Sequence, residues 1–589
     1  MNYDLKNVTR EGRSFARAAK SLWPLLREDR GKMFLALFMA VANSGLNLLG
    51  PLLTGFAIDQ GVKTGNYKIV AGYAIMLALL YAVAFALNYG QISMLGGVSQ
   101  RMLWRLRNRV FEKLQELPLS FFNQNKAGDL ISRVNNDTEK VNTFFSQALG
   151  RFVANFFIVV GAAIFVLSIN WKLALMAMIP AVGILIFTVA FNPWAKRKNK
   201  VSLDAAGALS AEIQESIGTF RVTIAFDRRD YFRERFGESN DKSFKSAVTA
   251  GMASGTFTPV YDFASNIAQL LVLGYGIALV VRGEFAIGLL VSFVLYATRF
   301  YDPLREVAQL FASFQSAMAG WDRIGEILHL ESDLKILPIE KTAVPTDASV
   351  VAPIVEFKDV SFGYPDGSQV LAGVNFAFER GKTYALVGPT GGGKTTTASL
   401  IARLYDPTSG TVLLDGRDIR SYDPAERTKK IGFILQDAFL FTGTVRDNIL
   451  YGNERYADIS AADLEKLLSE RGLAPLLSRF SKGLETTVGA GSALSLGERQ
   501  LIAFIRAVLR EPEILILDEA TANIDTVTEQ ALEEVLKKLP THTTKVVIAH
   551  RLNTIAGADD IFFVNGGAVR EAGSMEHAVE MLLHHKRSS

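Results

Sequence analysis

The chain has 589 residues, 63 Lys plus Arg against 59 Asp plus Glu, and a formal charge of +4. That length predicts two large domains rather than one. So small a net charge leaves no footprint for nucleic acid, and the absence of cysteine excludes disulfides, thiolate catalysis and cysteine-type metal sites.

Residues 1–32 contain no short apolar core followed by a small-residue cleavage site, so the first apolar run is expected to act as its own insertion signal. Residues 10–28 are basic, with Phe15, Leu22, Trp23 and Leu26 interleaved. This reads as a helix lying on the cytoplasmic membrane surface, a plain solvated helix being the simpler alternative. Six long apolar runs follow, at 33–60, 69–98, 141–169, 171–193, 257–281 and 286–318. Each is long enough to cross a hydrocarbon core, which takes about 20 residues.

Basic residues set the orientation. Arg10, Arg13, Arg17, Lys20, Arg27, Arg30 and Lys32 precede the first run. Arg101, Arg105, Arg107, Arg109 and Lys113 follow the second, and Lys196, Arg197, Lys198 and Lys200 follow the fourth. The N-terminus, both long connections and the C-terminal domain are therefore expected to face the cytoplasm. The connections at 99–140 and 194–245 keep helical spacing, as in Met102–Phe111. The spans are thus expected to continue as helices beyond the membrane, some 20 extra residues reaching roughly 30 Å. Each connection breaks near its middle, at Phe121–Asp129 and at Arg221–Asp227, and these breaks are the natural contacts for a cytosolic domain.

In the sixth run, Phe293, Tyr296, Phe300, Phe311 and Phe314 recur near helical spacing beside Arg299, Asp302 and Arg305; the first carries Asn43 and Asn47. Polar groups at such depth usually face a cavity or a partner helix. The aromatics read either as helix packing or as an amphipathic substrate pocket. Pro338, Pro345 and Pro353 then mark a linker.

From residue 354 short apolar strands, Gly/Asp turns and amphipathic helices predict an α/β domain. Thr383–Val387 is a buried-strand run that leads into Gly388-Pro389-Thr390-Gly391-Gly392-Gly393-Lys394-Thr395-Thr396, and a helix follows. Strand, glycine loop and helix form the context a P-loop requires. Backbone N–H groups would cradle phosphates, Lys394 would reach the β/γ-phosphates, and the Thr395 hydroxyl would ligate Mg²⁺. Ile514–Leu517 reads as a buried strand ending in Asp518 and Glu519. Asp518 is placed to hold Mg²⁺ and Glu519 to polarise an attacking water. Between them, Ala493–Gln500 opens a helix expected over Leu501–Leu509.

The stretch Leu494-Ser495-Leu496-Gly497-Glu498 resembles the signature L-S-G-G-Q of ATP-binding-cassette proteins, and the resemblance extends over the chain. Tyr364 resembles the aromatic that stacks on adenine. Gln436 resembles the glutamine that senses Mg²⁺ and the membrane domain. Asp525 lies in Ala522–Asp525, which resembles the loop linking two ATP sites. His550 resembles the switch histidine on the γ-phosphate. Ser120–Val134 and Arg221–Asp227 resemble the coupling segments of exporter-type members. The resemblance implies an all-α six-helix transmembrane domain followed by an α/β P-loop nucleotide-binding domain. Its boundaries are a cytoplasmic segment 1–32, a membrane domain 33–320 with coupling segments near 121–130 and 221–228, a linker 321–353 and an ATPase domain 354–589. It also implies ATP and Mg²⁺ as cofactors and a dimer in a lipid bilayer, with Ser495, Gly497 and Glu498 of one chain completing the ATP site of the other. The function implied is export of an amphipathic or hydrophobic substrate such as a drug, lipid or peptide. An exporter-fold importer of a metal chelate and an ATP-gated regulator or channel are the alternatives.

Leu496 and Glu498 depart from the signature, and Ala490 stands where exporters usually carry a glutamate, whereas Glu519 and His550 are retained. This asymmetry resembles the catalytically intact subunit of heterodimeric bacterial exporters; a homodimer remains the other reading.

Overall fold

The computed structural model describes residues 3–5, 24, 26–338, 352–365, 367–436, 438–489, 494–518, 526–548, 557–574, 576–578 and 580–581. The chain divides into two compact units, one of Val8–Gln115 and Ala127–His329, the other of Met1–Asn7, Glu116–Lys126 and Leu330–Ser589.

All the regular structure among the described residues of the first unit is helical. Five of its helical stretches are long and apolar enough to cross a membrane: Arg30–Val62, Tyr67–Glu116, Ala127–Ile169, Trp171–Gly218 and Arg229–Val281. A further long helix, Ile287–Leu328, occupies the sixth expected position. It falls outside that set of five; Arg299, Asp302 and Arg305 interrupt its apolar run. The surface helix expected over 10–28 lies almost wholly outside the described residues. Tyr67–Glu116 has 50 residues and Trp171–Gly218 has 48. At ~1.5 Å per residue each is over 70 Å long, more than twice a hydrocarbon core of about 30 Å.

Local chemistry sets where these rods turn. Asn170 alone separates Leu149–Ile169 from Trp171–Gly218, and its side chain caps the second helix by accepting from the Lys172 and Leu173 amides. Pro118 is extended and ends the run at Glu116, because the residue before a proline is driven out of the helical region. A short helix, Leu119–Gln124, follows, and Asn125 is extended again. Phe220–Ala225 is the matching short helix in the second connection, closed by Asp227 in a left-handed conformation.

Hydrocarbon gives helices no hydrophobic reason to associate, so close approach and interhelical hydrogen bonds bind them. Gly55 meets Gly288 so closely that a Cβ on either would strike the other's backbone oxygen. Asp59 accepts from the Gly288 amide at 2.8 Å and Ser292 donates to the Pro51 carbonyl at 2.8 Å. Phe293 and Tyr296 are fully buried; Tyr296 stacks on Phe165 and donates to the Leu48 carbonyl. These two aromatics pack helices together. Asn47 is held by Asn43 on its own helix. Deeper toward the break at Asn125, Arg133 is buried and pairs with Asp129 at 2.9 Å and Glu326 at 2.6 Å, while Arg323 pairs with Asp129 and Asp137. The network ties the stretch 127–143 to the end of Ile287–Leu328.

The second unit contains two main sheets. The larger runs in the order Ala568–Glu571, Asp560–Asn565, Thr383–Val387, Thr544–Ile548, Ile514–Asp518, Ile431–Ile434, and is parallel except at the first pair. The smaller is antiparallel, in the order Gln369–Phe378, Val355–Gly363, Ser409–Leu414, Arg417–Asp418. Phe357, Phe378, Tyr384 and Phe562 fill the core shared by the two sheets. A second core gathers Leu464, Leu468, Leu473, Leu476, Leu501 and Ile505 from the helices on the other side.

Candidate nucleotide site

In a parallel sheet the loops that leave the C-terminal strand ends form the usual ligand crevice. Register fixes which residues meet there. Ile548 lies opposite both Leu386 and Asp518. The glycine loop therefore leaves its strand beside the end of the carboxylate strand, with the strand that precedes His550 between them.

The loop needs its glycines. Gly391 and Gly393 have φ of +81° and +109°, where L side chains are strained, and a Cβ on Gly388 would strike the Val564 carbonyl. Lys394, nine-tenths buried or more, opens the helix Lys394–Ile401 and curls over the loop, donating to the Gly388 and Pro389 carbonyls at 3.0 and 2.9 Å. The Thr395 hydroxyl donates to Asp518 Oδ1 at 3.4 Å. Asp518 is buried at its strand end. A hydroxyl and a buried carboxylate so close form the kind of hard-oxygen pair that suits Mg²⁺. Tyr364 is half-buried and its hydroxyl hydrogen-bonds Thr396 at 3.0 Å, which places the ring at the edge of the loop. Gln436 is exposed just beyond Ile431–Ile434, and its carbonyl accepts from the buried Gln500 side chain at 3.3 Å. Glu519, Asp525, His550 and Ala490 lie outside the described residues.

The family models match in the same order as the two units. Residues 33–304 match the ABC transporter transmembrane region, and residues 371–522 match the ABC transporter domain. The chain is an ABC transporter. It is 34% identical over 572 residues to an uncharacterised ABC transporter ATP-binding protein, YfiC, of Bacillus subtilis, covering 95% of this chain and 92% of that one. It is 32% identical to a fatty acid ABC transporter ATP-binding/permease protein of Mycobacterium tuberculosis, covering 90% and 82%. It is 30% identical to an ATP-dependent lipid A-core flippase of Syntrophus aciditrophicus, covering 95% and 91%. With one membrane region and one ATP-binding domain, this ABC transporter is an exporter-type half-transporter, a multi-pass membrane protein whose ATP hydrolysis drives export and which acts as a dimer.

The signature of this ABC transporter departs from the sequence expectation in one respect. Its helix begins at Leu496, not Leu501, because Ser495 and Glu498 form a capping box. Ser495 Oγ accepts from the Glu498 amide at 3.2 Å, and the Glu498 carboxylate accepts from the Ser495 amide at 2.7 Å. The pattern S-x-x-E, Ser495 to Glu498, is the sequence signal for this earlier start. Gly497 lies in the first turn.

Tyr405 escaped the sequence reading. It packs edge-on to Tyr364 at 5.5 Å and against Phe362 at 5.5 Å, and its hydroxyl accepts from Asn123 Nδ2 at 2.7 Å. Burial pushes its phenol above the ordinary tyrosine value, so it stays neutral. The short helix Leu119–Gln124 is thus one hydrogen bond and one ring contact from Tyr364. At the opposite end of the carboxylate strand, Glu513 joins Arg380 and Lys430 at 2.8 and 2.6 Å, and both cations also pair with Asp415. Burial disfavours the Glu513 anion, but the bonds from Lys430 and Arg380 outweigh it and hold the carboxyl below its ordinary range.

Proposed function

We propose that this half-transporter exports an amphipathic, lipid-like molecule, with Glu519 orienting the attacking water, His550 sensing the γ-phosphate and Lys394 neutralising the β/γ-phosphates. The glycine loop Gly388–Thr396 cradles the phosphates and Tyr364 stacks on the adenine. Thr395 and Asp518 hold Mg²⁺, with Gln436 at its edge. When bound, Mg²⁺ supplies charge stabilisation to the transferring phosphoryl group. Ser495, Gly497 and Glu498 complete the ATP site of the second chain, and Asp525 lies in the loop between the sites. The carrying observation is the approach of Thr395 to Asp518 at 3.4 Å at the end of a parallel sheet, directly beside the cradle.

The substrate class is supported by relatives whose names specify fatty acid and lipid A-core. The partner is a non-identical half-transporter. The motive is the contrast between retained Glu519 and His550 and the altered Leu496, Glu498 and Ala490. Segments 121–130 and 221–228 carry motion between membrane and ATPase domains. In the second, Val222, Ile224 and Phe226 are exposed apolar side chains, as is Phe220 just before it; the ATPase domain of the partner is their proposed cover.

The test is this chain purified alone and reconstituted in lipid vesicles, with Mg-ATP hydrolysis and movement of a fluorescent fatty acid both followed. The heterodimer reading expects weak activity that is restored by a second chain carrying L-S-G-G-Q. A stable homodimer with full hydrolysis and transport overturns it. Hydrolysis unaccompanied by lipid movement under restored conditions overturns the substrate class.

A further inference from the structure

Tyr3 is only 1% exposed, and Leu5 is buried beside it. Its contacts go to two remote segments. The Tyr3 amide donates to Gln124 Oε1 at 2.9 Å, Asn125 Nδ2 donates to the Tyr3 carbonyl at 3.0 Å, and the Leu5 amide donates to Asn125 Oδ1 at 3.3 Å. The Asn125 side chain thereby pairs with this backbone much as a neighbouring strand would. The Tyr3 ring meets Phe121 edge-on at 6.2 Å. At its other end the Tyr3 hydroxyl donates to the Glu331 carbonyl at 3.0 Å and accepts from the Asp333 amide at 2.9 Å.

The segment holding Glu331 and Asp333 is itself fastened to the α/β core. Arg403, nearly fully buried, donates to the Lys335 carbonyl at 2.8 Å, and the Leu337 amide donates to the Arg420 carbonyl at 3.0 Å. One short peptide therefore bridges the turn at 119–125 and the start of the linker. The turn also carries Asn123, which holds Tyr405 beside Tyr364.

We propose that Tyr3–Leu5 is a strap that fixes the first cytoplasmic turn to the linker edge of the ATPase domain, with Tyr3 as the positioning residue that keeps Asn123 on Tyr405. The strap rests on the proposed role of residues 121–130 as a segment that transmits motion. Its physical logic is that a six-residue helix cannot hold its own place. Flanked by extended residues on both sides, it needs an external frame, and the strap supplies donors and acceptors to Gln124 and Asn125 at its C-terminal end.

The chain has no cysteine, so Asn123→Cys with Tyr405→Cys reports the position of the turn through a short bifunctional thiol reagent. Cross-linking is measured on the full chain with its partner, in phosphatidylethanolamine–phosphatidylglycerol vesicles. Backgrounds are the unchanged N-terminus, deletion of residues 2–5, and Tyr3→Phe, which keeps the ring and loses both hydroxyl bonds. ATP turnover in vesicles relative to detergent, in otherwise native chains with the same N-termini, reads the influence of the membrane domain. The deletion should slow cross-linking about fivefold or more, the factor that one hydrogen bond typically carries, with Tyr3→Phe intermediate. Basal turnover should be unchanged and the vesicle-to-detergent ratio should fall toward one. Slowed cross-linking with an unchanged ratio supports the strap and overturns the transmitting role of the turn. Unchanged cross-linking in both variants overturns the strap, including when the melting temperature falls, since that outcome leaves Tyr3 a stabilising contact only.

Discussion

Glu498→Gln separates two effects that usually move together. The Glu498 carboxylate accepts from the Ser495 amide at 2.7 Å, and Ser495 Oγ accepts from the Glu498 amide at 3.2 Å. Capping boxes take either Glu or Gln at this position, so the substitution keeps both bonds and removes only the negative charge. A carboxylate in the first turn of a helix stabilises it by about 0.3–1 kcal/mol through the positive helix end. Folding should therefore weaken by that amount, which lowers melting by roughly 1–4 °C for a domain of this size. In the proposed dimer the same helix start faces the phosphates of the ATP bound to the other chain. There the carboxylate competes with the phosphates for one positive end. Removing it should tighten ATP by the same energy, a two- to fivefold fall in KM, roughly. Stability falls while affinity rises. The assay is thermal melting beside initial rates at varied Mg-ATP, on the dimer in vesicles. Glu498→Ala, which loses the charge and the bond from the Ser495 amide but keeps the backbone amide at 498 on Ser495 Oγ, should be less stable still by about 1 kcal/mol. An unchanged or higher KM in Glu498→Gln refutes the competition and the placement of this helix start over nucleotide.

Glu519→Gln should retain ATP binding while hydrolysis falls about 100-fold or more, as nucleotide binding and phosphate release will show. Arg403→Ala removes a buried cation from Asp406, Lys335 and Ile419; it should cost roughly 3 kcal/mol, seen in denaturant unfolding. Glu513 has a folded pKa below its ordinary value, so its contribution is present above that ordinary value and is lost as pH falls through the lower folded one. Melting of the native chain should drop in that acid window, and Glu513→Gln should melt lower at neutral pH with a flatter acid profile.

What the sequence makes legible here is mostly local in the chain. The glycine loop is recognisable because strand, loop and helix are consecutive, and φ values of +81° and +109° demand glycine wherever that turn occurs. Pro118 stops a helix by its own covalent geometry. The start of the signature helix is equally local, written in the capping pair Ser495 and Glu498. The interhelical bonds of Ser292 and Tyr296 reach residues more than 240 positions away, and no periodicity predicts them. Tyr296 sits among aromatics that read as packing or pocket alike, and nothing in the apolar run marks Ser292.

The segments joined at Tyr405 mark the same limit more sharply. Asn123 and Tyr405 are 282 positions apart, and Tyr3 and Glu331 are 328 apart. Asn123 falls in a stretch that the sequence singles out, but Tyr405, Tyr3 and Glu331 belong to no motif. Yet these are the contacts through which a turn between two long helices reaches the tyrosine beside the phosphate loop. The cassette chemistry needs a fixed set of residues at fixed spacings, so it is written as motifs. Transmission needs only that some packed path connect the turn to the nucleotide edge, and many residue types can build one. A sequence can therefore declare that it hydrolyses ATP far more plainly than it can declare how the membrane helices feel it, and Tyr3, Asn123 and Tyr405 are the residues proposed to supply that second half in this chain.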